Sequence, residues 1–385
     1  MTIITTSISP EEAKKIAELR DLVKEDLSTY YDTDFNLLRW LQGHNGSLEE
    51  IARKLQKHLK MRRSYWNLDK AAAQPRDHVI HNHWKYGFTG MSGALENTIV
   101  NIEQSGETDY WGMIQSYSLH EVMKARIHDL EEMLAKCMEV EEKTGKQASI
   151  LYVMDLTSLK YDKKLYNLLT GALKSLTEFM AEHYVELIQH FVLVNVPSCV
   201  YAMWQVAKPL LPEKTRQKVC FLSSSNWKND ILQMSDPSVL PTKWNDAQTN
   251  IFKAKIDFPL AYPEDHYYIN ENHKVPEGAE KISVAPGKTR FITKELKEGD
   301  QLSWFIAGNG DMGLGTFFSE YKDESDTENM EVVYPCFEWM PGPTVVPLIE
   351  TITAKQSGFY KIWISNYRAW WHTLVVTAKI TVSTN

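Results

Sequence analysis

Gly308, Gly310 and Gly313 are spaced as GxGxxG, a pattern that cradles a pyrophosphate when a strand leads into it and a helix N-terminus follows. Here the residues that follow, LGTFFSEY, read as a strand, so no helix is available to hold the phosphates. His78, His81 and His83 also lie close together. No carboxylate or cysteine falls at helical spacing beside them, and they are read as surface and sheet-edge histidines rather than metal ligands. There is no GxSxG nucleophile elbow, and no Ser/His/Asp set is implied by residue order. The expectation is a protein that is not an enzyme and uses no cofactor or metal.

Apolar patterning is more informative. Residues 191–196 form an apolar run broken only by Asn195, of the length of a strand buried on both faces. After Pro197 the period changes: Val200, Met203, Trp204, Ala207, Leu210 and Leu211 recur three or four apart and make one apolar helical face, which Pro209 stops or kinks. Residues 219–222 are apolar again. Such a helix either packs on a sheet or covers a greasy cavity from which it can swing away.

The chain has 385 residues, 43% of them hydrophobic, enough for two or three domains. A net charge of −8 gives no global attraction to nucleic acid or anionic membrane, so membrane contact must be local. Cys137, Cys199, Cys220 and Cys336 are scattered without a CxxC pair and are read as reduced and mostly buried. No apolar stretch reaches the roughly 18 residues of a membrane span, and no basic, apolar leader opens the chain. A cytoplasmic protein is expected.

In chain order, Ser9 with Glu12 and Ser47 with Glu50 are capping boxes, and Asp34 leads a short helix that Gly43 ends. Residues 1–72 are therefore expected to form a small helical bundle. Over 73–250, short strands at 98–102, 150–155, 191–196 and 219–222 alternate with helical stretches such as 119–140 and 165–184, which indicates a mainly parallel sheet. Seven strand-like runs between 290 and 382, separated by Gly, Pro, Asn and Asp, predict an all-β sandwich over 262–385. The acidic stretch 322–331 reads as a solvated loop. Of Trp363, Trp370 and Trp371, one or two are expected in the core and the rest exposed for a partner.

The run PSCVYAMWQVAKPLLPEKTRQKV, with NWKNDILQMSDPSVLP after it, resembles the gate helix and following segment of the CRAL-TRIO lipid-transfer proteins. GDQLSWFIAGNGDMGLGTFF and SGFYKIWISNYRAWWHTLVVTAKITV resemble parts of a GOLD domain, and the whole order is similar to that of the animal supernatant protein factor group. The resemblance implies an α/β lipid-binding domain (CRAL-TRIO-like) preceded by a small helical bundle and followed by an all-β GOLD-like sandwich. It implies one hydrophobic ligand (phospholipid, tocopherol-like or isoprenoid) in an internal pocket. The pocket is expected between the sheet residues Ile99, Leu151, Val153, Val192 and Val194 and the gate residues Val200, Met203, Trp204, Ala207, Leu210 and Leu211. Where relatives bind phosphatidylinositol, this chain has Glu186, Thr215 and Lys218 for the headgroup, but His44 and Asn45 replace a basic pair, with Arg39 nearby. Ile150 and Tyr152 replace a hydroxyl pair that holds a choline lipid. The Gly-Gly-Thr that many relatives carry after Leu240-Pro241 is absent, which implies a stiffer gate hinge. Lipid transfer or presentation at a transient membrane surface, peripheral on Golgi or endosomal membranes, is the implied function. The alternative is a trafficking adaptor or lipid sensor acting through a protein partner of the GOLD-like domain, without net transfer.

Overall fold

The computed structural model describes residues 7–85, 87–207, 213–222, 225–268 and 274–384. Helix α1 (Pro10–Val23) starts at a Ser9/Glu12 capping box and α3 (Leu48–Arg62) at a Ser47/Glu50 box; between them α2 (Asp34–Gly43) is capped by the Thr33 hydroxyl accepting from Asn36 N–H. Their apolar stripes, including Leu19, Leu37, Leu38, Leu55 and Leu59, close on one another. After the single turn α4 (Ile80–His83) come β1 (Phe88–Met91), β2 (Thr98–Glu103), α5 (Tyr110–Ser116), α6 (Leu119–Thr144) and β3 (Ser149–Asp155). Then follow α7 (Lys163–Thr170), α8 (Ala172–His183), β4 (Ile188–Val194), α9 (Ser198–Ala207), α10 (Glu213–Lys218), β5 (Val219–Phe221) and α11 (Trp227–Ile231). The helical stretch expected over 165–184 is two helices, because Gly171 leaves helical geometry (φ −117°, ψ −106°), and a Cβ there would fall 3.4 Å from Pro341 Cβ.

Strands β2 to β5 run parallel in sequence order, with β1 antiparallel at the edge of β2. Right-handed crossovers between consecutive parallel strands put every connecting helix on the same side of the sheet. The other side is covered by the chain after β5. The bundle is pinned to α6 by two buried ion pairs: Arg39 to Glu141, and Arg62 forked onto both oxygens of Glu131 at 2.8 Å. Arg39 is therefore committed to the fold and not open to a headgroup.

Eight strands form the C-terminal region: β6 (Glu280–Val284), β7 (Thr289–Leu296), β8 (Gln301–Gly308), β9 (Met312–Ser319), β10 (Glu331–Met340), β11 (Leu348–Thr353), β12 (Gly358–Ser365) and β13 (Leu374–Ser383). They make two four-stranded antiparallel sheets, ordered β10-β9-β12-β7 and β11-β8-β13-β6. Strand β6 had no sequence signal strong enough to be expected. The GxGxxG run is the β8–β9 turn, as the strand-like residues after it required. The acidic stretch 322–331 does more than face solvent: the ammonium of Lys361, a residue buried to 1% exposure, donates to the carbonyls of Lys322 and Glu324.

This β-sandwich is packed firmly against the helices. Strand β10 lies across α3 and α8, and Phe337 sits in a box of Trp66, His120 and Phe179 with ring centroids 5.9, 4.7 and 4.9 Å away. Ser175 Oγ donates to Trp339 O at 2.8 Å, Tyr65 N–H donates to Val333 O at 2.7 Å, and Lys57 bridges Glu182 and Glu338 at 2.6 Å each.

Candidate apolar site beneath helix α9

Side chains alternate along a strand, so the register decides which residues can meet α9. Ile99 aligns with Ile150, Val100 with Leu151 and Ile102 with Val153; Val153 aligns in turn with Val192 and Asp155 with Val194. Leu151, Val153, Val192 and Val194 thus share one face. They are fully buried there against Trp227, Ile231, Leu240, Trp244 and Phe252. That corrects the expected pocket: these four residues belong to the solid core on the side away from α9. Ile99 points the other way, but it is buried under α6 with Leu130 and Met133.

The face toward α9 carries the alternate set: Met154, Phe191, Leu193, Val219 and Phe221. Rings of Tyr201 and Trp204 on α9 stand 5.2 and 5.1 Å from that of Phe221. The contrast in burial is the main feature of the site. Each residue of this set is only half-buried, whereas Leu151, Val153, Val192 and Val194 on the opposite face are sealed by protein. Val200 and Trp204 are half-buried as well. Of the other expected gate residues, Leu210 and Leu211 lie outside the described residues, as do the side chains of Met203, Ala207 and Thr215. Deeper in, between α5, α6, α7 and α8, the apolar space lined by Trp84, Tyr110, Val122 and Leu176 is about 10 Å³, filled by the protein itself.

One end of this face is polar, a feature missed in the sequence. Glu103, at the end of β2 and 4% exposed, accepts from the phenols of Tyr110 and Tyr152 and from Ser105 Oγ at 2.8 Å. Arg126 donates to Tyr152 Oη at 2.9 Å and lies over the Trp84 and Tyr152 rings at 5.0 and 5.3 Å. Burial first, and the Glu103 carboxylate second, hold the Tyr110 phenol well above its usual range; burial does the same for Tyr152 against the pull of Arg126. Both phenols are donors at any physiological pH. Only the tertiary fold reveals the group, since Glu103, Tyr110, Arg126 and Tyr152 come from four elements.

Two of the three headgroup candidates do meet. Lys218, ending α10, pairs with Glu186 at 2.9 Å, and Gln189 Nε2 donates to Glu186 Oε2 at 3.1 Å. Glu186 sits in the turn before β4 with φ of +54°, a conformation that a non-glycine residue adopts at some cost. The end of α2 is pressed against this turn: a Cβ on Gly43 would fall 1.8 Å from Val185 Cγ1. His44 follows directly, and Lys54 from α3 reaches its Nδ1 at 3.4 Å. A cation thus stands beside the position where the basic pair is missing, supplied from another helix. Burial, then the Lys218 charge, keep the nearby His190 imidazole below its ordinary value.

The histidine run is tertiary rather than superficial. His81 and His83 are buried, the latter stacked on Tyr262 with centroids 3.4 Å apart. Asp129 and His128 of α6 come within 4.8 Å of His81, a cluster that sequence spacing could not foresee. Arg76 forks onto Asp129 at 2.8 and 3.4 Å, and Arg126 stands 3.8 Å away, so that carboxylate is already neutralised by guanidinium. The four cysteines are unpaired. No described helix is long and apolar enough to cross a membrane.

Comparison with known proteins agrees with this architecture. Residues 97–245 match the CRAL/TRIO domain, residues 267–385 a C-terminal domain described as F28H7_8_C:-like, and residues 8–71 a domain of unknown function, DUF8435. Similar proteins include the Caenorhabditis elegans CRAL-TRIO domain-containing protein F28H7.8, 25% identical over 92% of this chain and 86% of that protein. The C. elegans protein ctg-1 is 21% identical over 96% of this chain and 95% of its own length. Among solved structures, Sfh5 aligns with 66% of this chain and 94% of its own, with 17% identity and a TM-score of 0.48.

Proposed function

From a chain whose residues 97–245 form a CRAL-TRIO domain, we propose a protein that binds a single hydrophobic lipid beneath α9 and transfers or presents it between membranes. Proteins of this family typically bind or transfer lipids and need no cofactor. The observation that carries the reading is the half-covered apolar face: Met154, Phe191, Leu193, Val219 and Phe221 have no full protein cover, while Leu151, Val153, Val192 and Val194 on the opposite face have. Covering a Leu- or Phe-sized side chain is worth about 1.5–3 kcal/mol, so an acyl or isoprenoid chain gains most where the protein has left area open. Release follows when a membrane offers α9 equivalent apolar cover; no bond is made or broken. The antiparallel β-sandwich acts here as a GOLD-like module that gives location.

The test is transfer of a fluorescent lipid between liposomes. Leu210→Asp with Leu211→Asp is expected to slow it by more than about tenfold, because two charges replace apolar area that must enter lipid. Wild-type protein that neither transfers lipid nor carries any in organic extracts would point to an adaptor instead.

For the headgroup, we propose that Glu186, Thr215 and Lys218 receive an anionic lipid such as phosphatidylinositol, with Lys218 leaving its carboxylate for phosphate. Lys218→Ala is then expected to weaken retention of phosphatidylinositol about tenfold or more and leave squalene or tocopherol unaffected. Equal retention of phosphatidylinositol by variant and wild type, measured by mass spectrometry of bound lipid, would remove the phosphate role.

A further inference from the structure

The β12–β13 loop holds the three most exposed large hydrophobic side chains among the described residues. Tyr367, Trp370 and Trp371 are 74, 88 and 76% exposed, an arrangement that water opposes and that a packed domain has no use for. The loop is not loose at its base: Asn366 Nδ2 donates to Val284 O at 3.0 Å and to His372 O at 2.7 Å, and Asn366 N–H donates to Lys288 O at 2.9 Å. It rises over a cavity of about 690 Å³ floored by Trp339 and Asp311, whose carboxylate is held by Trp339 Nε1 and Gly342 N–H.

Cations surround these aromatics. Lys174 of α8 and Arg368 of the loop both lie over the Trp339 ring, at 4.8 and 5.7 Å, and share Glu178 as ion-pair partner at 3.9 and 2.9 Å, while Lys288 on the β6–β7 turn and Arg290 at the start of β7 are exposed. Across Pro341, whose ring a Cβ on Gly171 would meet at 3.4 Å, α7 leaves Tyr166 and Leu169 exposed together with Lys163 and Lys164. On a chain of net charge −8, Lys163, Lys164, Lys174, Lys288, Arg290 and Arg368 outnumber Glu178, Asp311 and Glu338 here, which makes this surface a local basic and aromatic exception. Tyr and Trp rings suit the headgroup level of a bilayer, where one end is apolar and the other wet, and flanking Lys and Arg suit its anionic lipids.

We propose that the β12–β13 loop is a membrane anchor that seats the protein on anionic phospholipid, with Trp370 and Trp371 entering the interface and Lys174, Lys288 and Arg290 facing the headgroups. Because β10 is locked to α3 and α8, anchoring the sandwich holds the lipid-binding domain at the same surface. The inference deepens the lipid-transfer reading and rests on it for purpose, but vesicle binding is measured apart from transfer.

The experiment is co-sedimentation of the full chain with vesicles of phosphatidylcholine alone and with added phosphatidylserine. Wild-type protein is expected to bind the mixed vesicles more tightly, and added salt to weaken it. Trp370→Ala with Trp371→Ala is expected to lower affinity by about tenfold or more, and Lys288→Glu with Arg290→Glu to abolish only the preference for phosphatidylserine. An unchanged thermal melt of these exposed variants shows that they fold. Binding by the double tryptophan variant equal to that of wild type overturns the anchor, as does wild type that ignores both vesicles; the latter result makes the aromatic loop a protein-docking surface. Vesicle binding without lipid transfer keeps the anchor and removes the transfer reading instead.

Discussion

Phe337→Ala is expected to destabilise the folded chain by about 3–5 kcal/mol, the range for emptying a buried aromatic site that cannot collapse. The ring is 2% exposed and fills a box whose walls belong to separate stretches of sequence: Trp66 after α3, His120 at the start of α6, and Phe179 of α8. None of these walls can move inward alone, because His120 and Phe179 are fixed by their helices and Trp66 is held against the Tyr334 ring, 5.4 Å away. The residue is also the centre of the contact between the β-sandwich and the helical part. Its loss is therefore expected to do more than lower the urea midpoint. The sandwich, which retains its two sheets, should begin to unfold separately from the rest, so that near-ultraviolet and far-ultraviolet transitions no longer coincide. A loss below about 1 kcal/mol with a single coincident transition would show that β10 rests on the helices without being held by them.

The second large effect concerns acid. His58 of α3 and His183 of α8 face each other with Nδ1 atoms 3.1 Å apart, among Tyr31, Trp40, Tyr184, Phe179, Arg62, Lys57 and Glu182. Burial, then the Arg62 charge and the partner ring, hold the His58 imidazole well below its ordinary value. Burial pulls His183 down to about 4, with Glu182 opposing, and burial alone takes His120 down to about 3. All three shifts are downward from 6.5, so the unfolded chain binds more protons than the folded one below that pH. Their contribution is complete above pH 6.5 and is lost as pH falls below it, through about 4 for His183, at roughly 3 kcal/mol, and on to about 3 for His120. Urea midpoints should be level from pH 8 to 7 and fall steeply from 6.5 to 4.5. His120→Phe, which keeps a ring against Phe337 and removes one titrating group, is expected to make that fall shallower. Equal midpoints at pH 7 and 5 would mean that the folded chain takes up these protons as readily as the unfolded one, the box opening to water.

The acid response and the Phe337 box share a cause. Both lie where α3, α6, α8 and β10 converge, and the groups concerned are histidines and aromatics that look unremarkable in isolation. Nothing in the spacing of His58 and His183, separated by more than a hundred residues, suggests that they touch. The same holds for Lys57, which reads as an ordinary helix-surface lysine and instead bridges Glu182 and Glu338.

What the sequence determined by itself is local and periodic. The capping boxes at Ser9 and Ser47 needed only a hydroxyl and a carboxylate three residues apart, and both form. The strand-like residues after Gly313 were enough to place the GxGxxG run in a turn between two strands. Alternating strands and helices between β2 and β5 gave a parallel sheet, and closely spaced strand-like runs gave a β-sandwich, because backbone hydrogen bonding and apolar period act over a few residues. Tertiary structure alone decided which face of the sheet met which partner. Leu151, Val153, Val192 and Val194 are as apolar as Met154, Phe191 and Leu193, and a run buried on both faces carries no alternation to tell them apart; only register, with the chain after β5 covering one side and α9 the other, separates core from candidate site. Charges followed the same rule. Glu186, in the turn before β4, met Lys218 at the end of α10, and Lys54 of α3 came to His44 at the end of α2, because these elements bury their apolar faces together, a consequence that no spacing of charged residues encodes.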